Sequence, residues 1–169
     1  MRRSLATIAV IASIAATVAL ASRTTTPALH ADKIVIEKAA RKLTLYNNRA
    51  IVKTYQVALG PSPVGPKQCQ GDKRTPEGLY RIDGRNSSSH YHRSLHVSYP
   101  NAHDLAVARG KRCSPGGDIM IHGITNGYGW LGAKHRAVDW TLGCIAVTDD
   151  EIEEIWNAVP NGTVVEIKP

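Results

Sequence analysis

The sequence predicts a mostly β domain, arranged as a sandwich or a barrel-like sheet, with one late α-helix. Several short segments alternate apolar and polar residues with the period of two that is typical of half-buried strands. Only one segment has a clear helical period. Aromatic residues make up 5% of the chain and Phe is absent, so we expect a core built mainly from Ile, Val, Leu and Ala.

The first half of the chain reads as a hairpin followed by a long loop. A β-branched run at 34–36 and an alternating segment at 42–46 precede an Asn-Asn turn and a further strand over 50–59. Strand, Asn-rich turn and strand are typical of a β-hairpin. Residues 60–78 contain four prolines and four glycines, so we expect an irregular loop there.

The second half contains shorter predicted strands. They lie at 78–82, 94–99, 118–122, 145–147 and 163–167. Residues 83–93 are polar and are predicted to form a loop, whereas Asp104–Arg109 is predicted to form a short helix. This series of short strands is the basis of the mostly β prediction.

The late helix has the clearest local signals. Thr148 as N-cap and Glu151 three residues later fit a capping box. An apolar stripe with helical spacing follows, formed by Ile152, Ile155, Trp156 and Val159. We expect the helix to end at Pro160, because proline cannot continue the hydrogen-bond ladder.

The N-terminus is typical of an exported protein. Two arginines precede nineteen uncharged residues, Ser4–Ser22, with an Ala-x-Ala cleavage site at 19–21. We predict a signal peptide over 1–21; the alternative is an N-terminal membrane anchor, since about 18 apolar residues can span a bilayer. A polar linker (22–31) and one domain (32–169) follow. Both interpretations predict that the domain is exported, with no other membrane contact.

The charge of the chain limits its partners. The formal charge is +7, and removal of residues 1–21 leaves +5. A basic exported domain suits an acidic polymer at the cell surface, although simple solubility explains the charge equally well. No basic run with interleaved aromatic residues is present, so a nucleic-acid partner is not expected.

Residues 118–147 contain the candidate catalytic groups. His122 ends a buried-strand pattern, and Cys144 follows a glycine at a turn before another apolar run. A cysteine at such a turn exposes its sulfur, and nearby backbone N–H groups can stabilise an oxyanion. A neighbouring imidazole can remove the thiol proton. Without further signals, a buried structural cysteine is the more common case.

The spacing of these groups resembles that of a known family. His-Gly at 122–123, a glycine-rich spacer and Thr-Leu-Gly-Cys-Ile at 141–145 are similar to the signature of the L,D-transpeptidase catalytic domain, the YkuD-like family that acts on bacterial peptidoglycan. Arg-Thr-Pro-Glu-Gly at 74–78 and Gly-Asp-Ile-Met-Ile-His-Gly at 117–123 fit the same family in the same order. The resemblance covers about residues 32–168.

The resemblance implies a β-sandwich or barrel-like catalytic domain with Cys144 as nucleophile, in the periplasm or cell envelope of a bacterium. His122 would be the base, the carbonyl of Gly123 would orient its ring, and the N–H groups of Leu142, Gly143 and Cys144 would form the oxyanion hole. Cys144 would attack the carbonyl after an L-centre of a peptidoglycan stem peptide, release D-alanine and pass the thioester to an amine. No cofactor or metal is implied. The residues expected to contact substrate are Tyr99, Tyr128, Trp130, Trp140 and Thr141.

Two positions depart from the family pattern. Leu142 stands where many members have His or Lys, and Ala146 where many have Arg, whose fork suits a carboxylate. Gly-Cys-Ile-Ala before an acidic helix resembles the YafK-like branch, some members of which hydrolyse the amide that joins a lipoprotein to peptidoglycan. Two alternatives therefore stay open. One is a hydrolase of the same family, either an L,D-carboxypeptidase or an amidase releasing such a lipoprotein; the other is a non-catalytic peptidoglycan-binding module.

A zinc site is a further alternative. His90, His92 and His96 lie close together in the sequence, and with His122 they would supply enough ligands for zinc. The segment has no H-E-x-x-H pattern, and a polar loop is the favoured interpretation.

The remaining cysteines suggest a disulfide. Cys69 and Cys113 both lie in predicted loops, and in an oxidising compartment we expect them to pair. The alternative is two separate thiols. If they pair, Cys144 is the unpaired cysteine of the three.

Overall fold

The structure, a computed structural model, describes residues 29–169. Its strands are β1 (Lys33–Glu37), β2 (Lys42–Asn47), β3 (Ala50–Gln56), β4 (Gly78–Ser89), β5 (His92–Val97), β6 (Met120–His122), β7 (Ile145–Ala146) and β8 (Val164–Lys168). The helices are α1 (Ala102–Gly110) and α2 (Asp149–Ala158), and a kinked 3-10 segment covers Gly129–Ala137.

All eight strands belong to one sheet with the order β3-β2-β1-β8-β4-β5-β6-β7. The pairs β1–β8 and β6–β7 are parallel, and the other neighbouring pairs are antiparallel. Strand β4 connects the two halves of the sheet, because its first residues pair with β8 and its later residues pair with β5. The predicted mostly β class is confirmed.

Two local predictions differ from the structure. The polar segment 83–93 is not a loop: β4 extends to Ser89 and forms a hairpin with β5. Register shifts after Ile82 and after Asn86 interrupt the alternation of this strand, and most of its later side chains are exposed. The alternation of apolar and polar residues that predicts a strand is therefore missing from this segment. The short helix predicted over 104–109 extends over Ala102–Gly110, and its capping box uses Asn101 and Asp104. The described residues therefore form this helix in addition to the late one.

The core consists mainly of β-branched and leucine side chains, as the composition predicts. Its fully buried members include Ile34, Ile36, Leu43, Leu45, Ile82, Leu95, Ile121, Ile145 and Ile152. Helix α2 packs its predicted stripe against β5 and β6, with Ile152 and Ile155 fully buried. The capping box of Thr148 and Glu151 is present in both directions. This helix therefore fixes the position of the strands that carry the candidate site.

The folded domain begins before residue 32. Ala31 is fully buried and its N–H donates to the carbonyl of Ala158 over 2.8 Å, while Leu29 packs against the core. The last residues of the predicted linker are thus part of the domain. The predicted signal peptide lies outside the described residues. Among residues 29–169, no helix combines the length and the apolar character needed to cross a bilayer.

Candidate active site

His122 ends β6 and is held in one tautomer. Its ring is buried, and its Nδ1 lies 2.6 Å from the carbonyl oxygen of Gly123. Because a carbonyl only accepts hydrogen bonds, Nδ1 carries the proton and Nε2 carries the lone pair. A side chain at Gly123 would place its Cβ 2.7 Å from Oδ1 of Asp149 and 3.0 Å from the carbonyl oxygen of Tyr91. Only glycine leaves room for this carbonyl arrangement.

Two aromatic rings cover the imidazole. Tyr91 stacks on His122 with 4.3 Å between ring centroids, and Trp140 meets it edge-on at 5.7 Å. The Trp140 indole N–H donates to Nδ1 of His135 over 3.3 Å. Burial, with a smaller contribution from the neighbouring His135, lowers the pKa of His122 to about 4. His122 is therefore a neutral base at pH 7.

The turn over 141–144 presents the cysteine. The Thr141 hydroxyl donates to the carbonyl of Cys144 over 2.8 Å and accepts the N–H of Gly143 over 3.1 Å. Gly143 has a φ of 125°, which L side chains rarely adopt. A Cβ at Gly143 would also lie 2.5 Å from the carbonyl oxygen of Arg74. The motif glycine thus lets the turn lie directly against the loop that precedes β4.

The Cys144 thiol is free and protonated. Cys69 and Cys113 form a disulfide, so Cys144 is the free cysteine of the described residues. Its Sγ lies 3.4 Å from the carbonyl oxygen of Asp118. Burial raises the pKa of this thiol to about 11, with the Asp118 carboxylate adding to the rise. The thiol therefore needs a base before it can act as a nucleophile.

The pairing of β6 with β7 brings the base and the thiol together. These strands are parallel, with Ile121 opposite Ile145. Cys144 is consequently level with Met120, and residues two apart on a strand face the same side of a sheet. His122 and Cys144 both line one pocket of about 450 Å³.

Two loops form walls of this pocket. The first wall is the loop 57–77 between β3 and β4, and the second wall is the loop 111–119 between α1 and β6. The disulfide from Cys69 to Cys113 joins them, and the N–H of Gln70 donates to the carbonyl of Ser114 over 2.7 Å. The disulfide and this hydrogen bond therefore tie the two walls to each other.

Comparisons with known proteins agree with this geometry. The sequence profile of the family described as the YkuD L,D-transpeptidase catalytic domain matches residues 31–167. The chain belongs to the L,D-transpeptidase catalytic-domain family. It is 30% identical over 138 residues to the "Putative L,D-transpeptidase YafK" of Escherichia coli (strain K12), a match that covers 78% of this chain and 48% of that protein. The predicted resemblance is thereby confirmed.

Solved structures share the fold of this L,D-transpeptidase-family domain. The helical cell shape determining protein Pgp2 from Campylobacter jejuni (K307A mutant) is similar with a TM-score of 0.64 and 22% identity, over 83% of this chain and 47% of that chain. The L,D-transpeptidase LdtMt1, in complex with imipenem, has a TM-score of 0.52 and 16% identity, over 80% of this chain and 57% of that chain. The chain spans about half the length of YafK and Pgp2.

The structure brings some of the predicted site residues of this family domain together and leaves others outside. Trp140, Thr141 and Leu142 line the pocket with His122 and Cys144. The Gly143 N–H donates to the Thr141 hydroxyl, so of the three predicted oxyanion donors this one already has a partner.

The predicted aromatic contacts are distributed differently. Tyr99 is buried in the core, and its hydroxyl donates to the carbonyl of Pro115 over 2.9 Å, so it does not line the pocket. Tyr128 and Trp130 are exposed on the 3-10 side of the domain. Tyr128 lines a neighbouring groove that meets the pocket at Trp140.

The four histidines of the zinc alternative have separate partners. His92 pairs with Glu153, and His96 lies 2.5 Å from Asp83. His90 meets the ring of Tyr91 edge-on, while His122 is bound to the Gly123 carbonyl. Within residues 29–169, no three His, Cys, Asp or Glu side chains are placed to hold a metal ion.

An ion pair anchors the turn over 141–144. The sequence does not predict it. The Arg41 guanidinium binds both carboxylate oxygens of Asp139, and Asp139 accepts the N–H of Leu59 over 2.9 Å. The Leu59 carbonyl in turn accepts the N–H of Thr141 over 3.0 Å. Residues 98 positions apart form this anchor, so local motifs give no signal for it.

Proposed function

We propose that the protein is an exported cysteine acyltransferase that acts on peptidoglycan stem peptides. The carrying observation is that His122 and Cys144 line one pocket, with the imidazole locked by its 2.6 Å bond to the Gly123 carbonyl. That bond leaves Nε2 free to accept the thiol proton. Membership of the L,D-transpeptidase family supports a peptide substrate, and the predicted signal peptide supports export.

The reaction begins with attack by the sulfur. Cys144 Sγ bonds to the carbonyl carbon after an L-centre while its proton moves to Nε2 of His122. The N–H groups of Leu142 and Cys144 stabilise the oxyanion. The carbon–nitrogen bond then breaks, and the imidazolium returns the proton to the departing amine of D-alanine. An acceptor amine then attacks the carbonyl carbon of the thioester and gives a proton to His122. The carbon–sulfur bond breaks, and His122 returns the proton to the sulfur.

Hydrolysis of the same thioester is the second candidate function. Leu142 is 74% exposed and Ala146 is fully buried, at positions where the family pattern has basic side chains. An acceptor peptide finds no basic fork there, whereas water needs none. The leaving group would then be D-alanine or a peptidoglycan-bound lipoprotein.

Incubation of purified sacculi with protein separates these functions. New cross-links in the muropeptide profile indicate a transferase, and trimmed stems or released lipoprotein indicate a hydrolase. Neither product should form with Cys144→Ala.

A carbapenem tests the covalent step alone. We expect the mass of one carbapenem to be added to the intact protein at Cys144 and not to the Cys144→Ala variant. If no adduct forms and both proteins leave the muropeptide profile unchanged, the enzyme proposal is lost and the non-catalytic binding module takes its place.

A further inference from the structure

Two charged side chains of the pocket have no ionic partner within residues 29–169. Lys73 on the first wall and Asp118 on the second wall both line the pocket and are exposed. The neighbouring Lys67 differs, because its ammonium lies 2.9 Å from the carboxylate of Asp72. The pocket thus presents one cation and one anion that are available to a ligand.

The backbone of both residues is held in place beside the pocket. Lys73 and Asp118 have φ values of 57° and 56°, a left-handed conformation that costs a non-glycine residue free energy. At Gly60, a Cβ would lie 2.1 Å from the Lys73 carbonyl oxygen, so the chain packs tightly behind that lysine. The Asp118 carbonyl faces the Cys144 sulfur at 3.4 Å. Both residues are therefore held at the pocket by backbone contacts.

The Asp118 carboxylate opposes the chemistry of Cys144 while it has no partner. Its negative charge contributes to the raised pKa of the thiol, and it also disfavours a nearby oxyanion. A cation brought by the substrate would neutralise this charge. The unfavourable effect of the Asp118 charge would then be removed only by substrates that carry an ammonium group, so these substrates would react faster.

We propose that Asp118 binds an ammonium group and Lys73 binds a carboxylate group of the acyl-donor peptide, so that the enzyme selects zwitterionic donors. This inference rests on the proposed function, because the bound peptide is the one that Cys144 attacks. Lys73 and Asp118 lie on the two walls that the disulfide between Cys69 and Cys113 joins. Charge-assisted hydrogen bonds of this kind discriminate strongly against analogues that lack the group.

Matched peptides test the assignment of each charge. One set has a free or an acetylated amine, and the other has a free or an amidated carboxylate. Asp118→Asn should lower kcat/KM about tenfold for the free amine and less than about twofold for the acetylated peptide. Lys73→Gln should show the same contrast between the free and the amidated carboxylate. Lys168→Gln changes an exposed lysine on β8 that does not line the pocket, and this control should show no contrast.

The thiol itself supplies a second readout. Asp118→Asn should react faster than wild type with iodoacetamide, a neutral reagent, although it turns over the zwitterionic peptide more slowly. A merely structural defect would slow both reactions. Equal losses for both members of each peptide pair, or slower alkylation of Asp118→Asn, would overturn the assignment.

Binding to Cys144→Ala keeps this inference separate from the proposed function. If wild type converts none of the peptides, the proposed function fails, and calorimetry with Cys144→Ala still measures the same contrasts in Kd. Tighter binding of the zwitterionic peptide, lost with Asp118→Asn and Lys73→Gln, supports the recognition site. Absence of binding, or binding that is insensitive to both substitutions, contradicts it.

Discussion

The two sides of the pocket are built in different ways. His122 and Cys144 lie at the ends of paired strands, covered by α2 and by the rings of Tyr91 and Trp140. The walls 57–77 and 111–119 are loops joined by the disulfide and by a few polar contacts. The reactive groups thus sit on the rigid sheet, while the groups proposed to recognise substrate sit on loops, where side chains can change without loss of the core.

The two sides also differ in charge, since the sheet side carries neutral groups and the loop side carries charged ones. Burial keeps His122 and Cys144 neutral, because it raises the pKa of the thiol and lowers that of the imidazole. The loop side instead presents the exposed charges of Lys73 and Asp118. Substitutions on the sheet side should therefore remove chemistry, and substitutions on the loop side should change which peptide is used.

Loss of the base should have the largest effect. His122→Asn removes the proton acceptor from the sheet side, and we expect Cys144 acylation by a carbapenem to slow about 10³-fold. Stopped-flow absorbance and intact mass measure this rate. His92→Gln is the matched control, since that exposed histidine pairs with Glu153 away from the pocket, and it should retain the wild-type rate. An equal loss in both variants would contradict the role of His122.

A side chain at Gly143 should come next. In Gly143→Ala the Cβ would meet the Arg74 carbonyl at 2.5 Å, so the turn must shift and displace the sulfur. We expect about a 100-fold slower acylation, since displacements of about 1 Å at a reacting group have such effects.

Gly127→Ala separates this clash from simple backbone strain. Gly127 also has a positive φ, 86°, but nothing lies within 4 Å of a Cβ there. This control should lose stability in denaturant unfolding and keep its acylation rate. If both alanine variants acylate at the same rate, the contact with Arg74 is unimportant.

The predictability of the two sides also differs. His122, Gly123 and Cys144 could be found from sequence, because each belongs to a short motif next to an apolar strand pattern. Tyr91 could not, because it lies in a segment whose polar residues predict a loop, and it reaches His122 only through the pairing of β5 with β6. Long-range pairing of this kind leaves no local period.

Tyr99 illustrates the opposite error. Its alternation with Leu95 and Val97 correctly predicts a common face, and the structure shows that this face is the core. A residue that shares a face with Leu95 and Val97 is buried with them, which is why Tyr99 does not reach the pocket. The fold class, by contrast, could be predicted well, since most strands carry their own alternation.

Removal of the disulfide should affect the loop side. Cys69→Ser with Cys113→Ser opens a cross-link between residues 44 positions apart, which lowers the free energy of unfolding by about 4 kcal/mol in the chain-entropy account. We expect KM for a stem peptide to rise several-fold, because the walls lose their cross-link, while kcat changes little. Denaturant unfolding and steady-state kinetics below the transition measure both effects. A fall in kcat with unchanged KM would contradict the division between the two sides.

The anchor of the catalytic turn should show the smallest effect. Arg41→Lys keeps the charge and removes the two-pronged contact with Asp139. We expect roughly a threefold slower acylation, since ion pairs at half-exposed sites contribute about 0.7 kcal/mol. Combining Arg41→Lys with Asp139→Asn should cost little more than the larger single change. Fully additive losses would show that the two residues act independently.

The pH dependence of Cys144 acylation tests the central claim, that a buried neutral imidazole activates a half-buried neutral thiol. Because the pKa of His122 is lowered to about 4 and that of Cys144 is raised to about 11, the base stays unprotonated above about pH 5 and the thiol stays protonated through about pH 10. The rate constant for carbapenem acylation should therefore rise through about pH 4 and stay level from about pH 5 to 9. His122→Asn should lose this plateau and react faster as pH rises. A wild-type rate that instead rises through about pH 6.5, or climbs steadily through pH 8 to 9 as a free thiol does, would contradict the account.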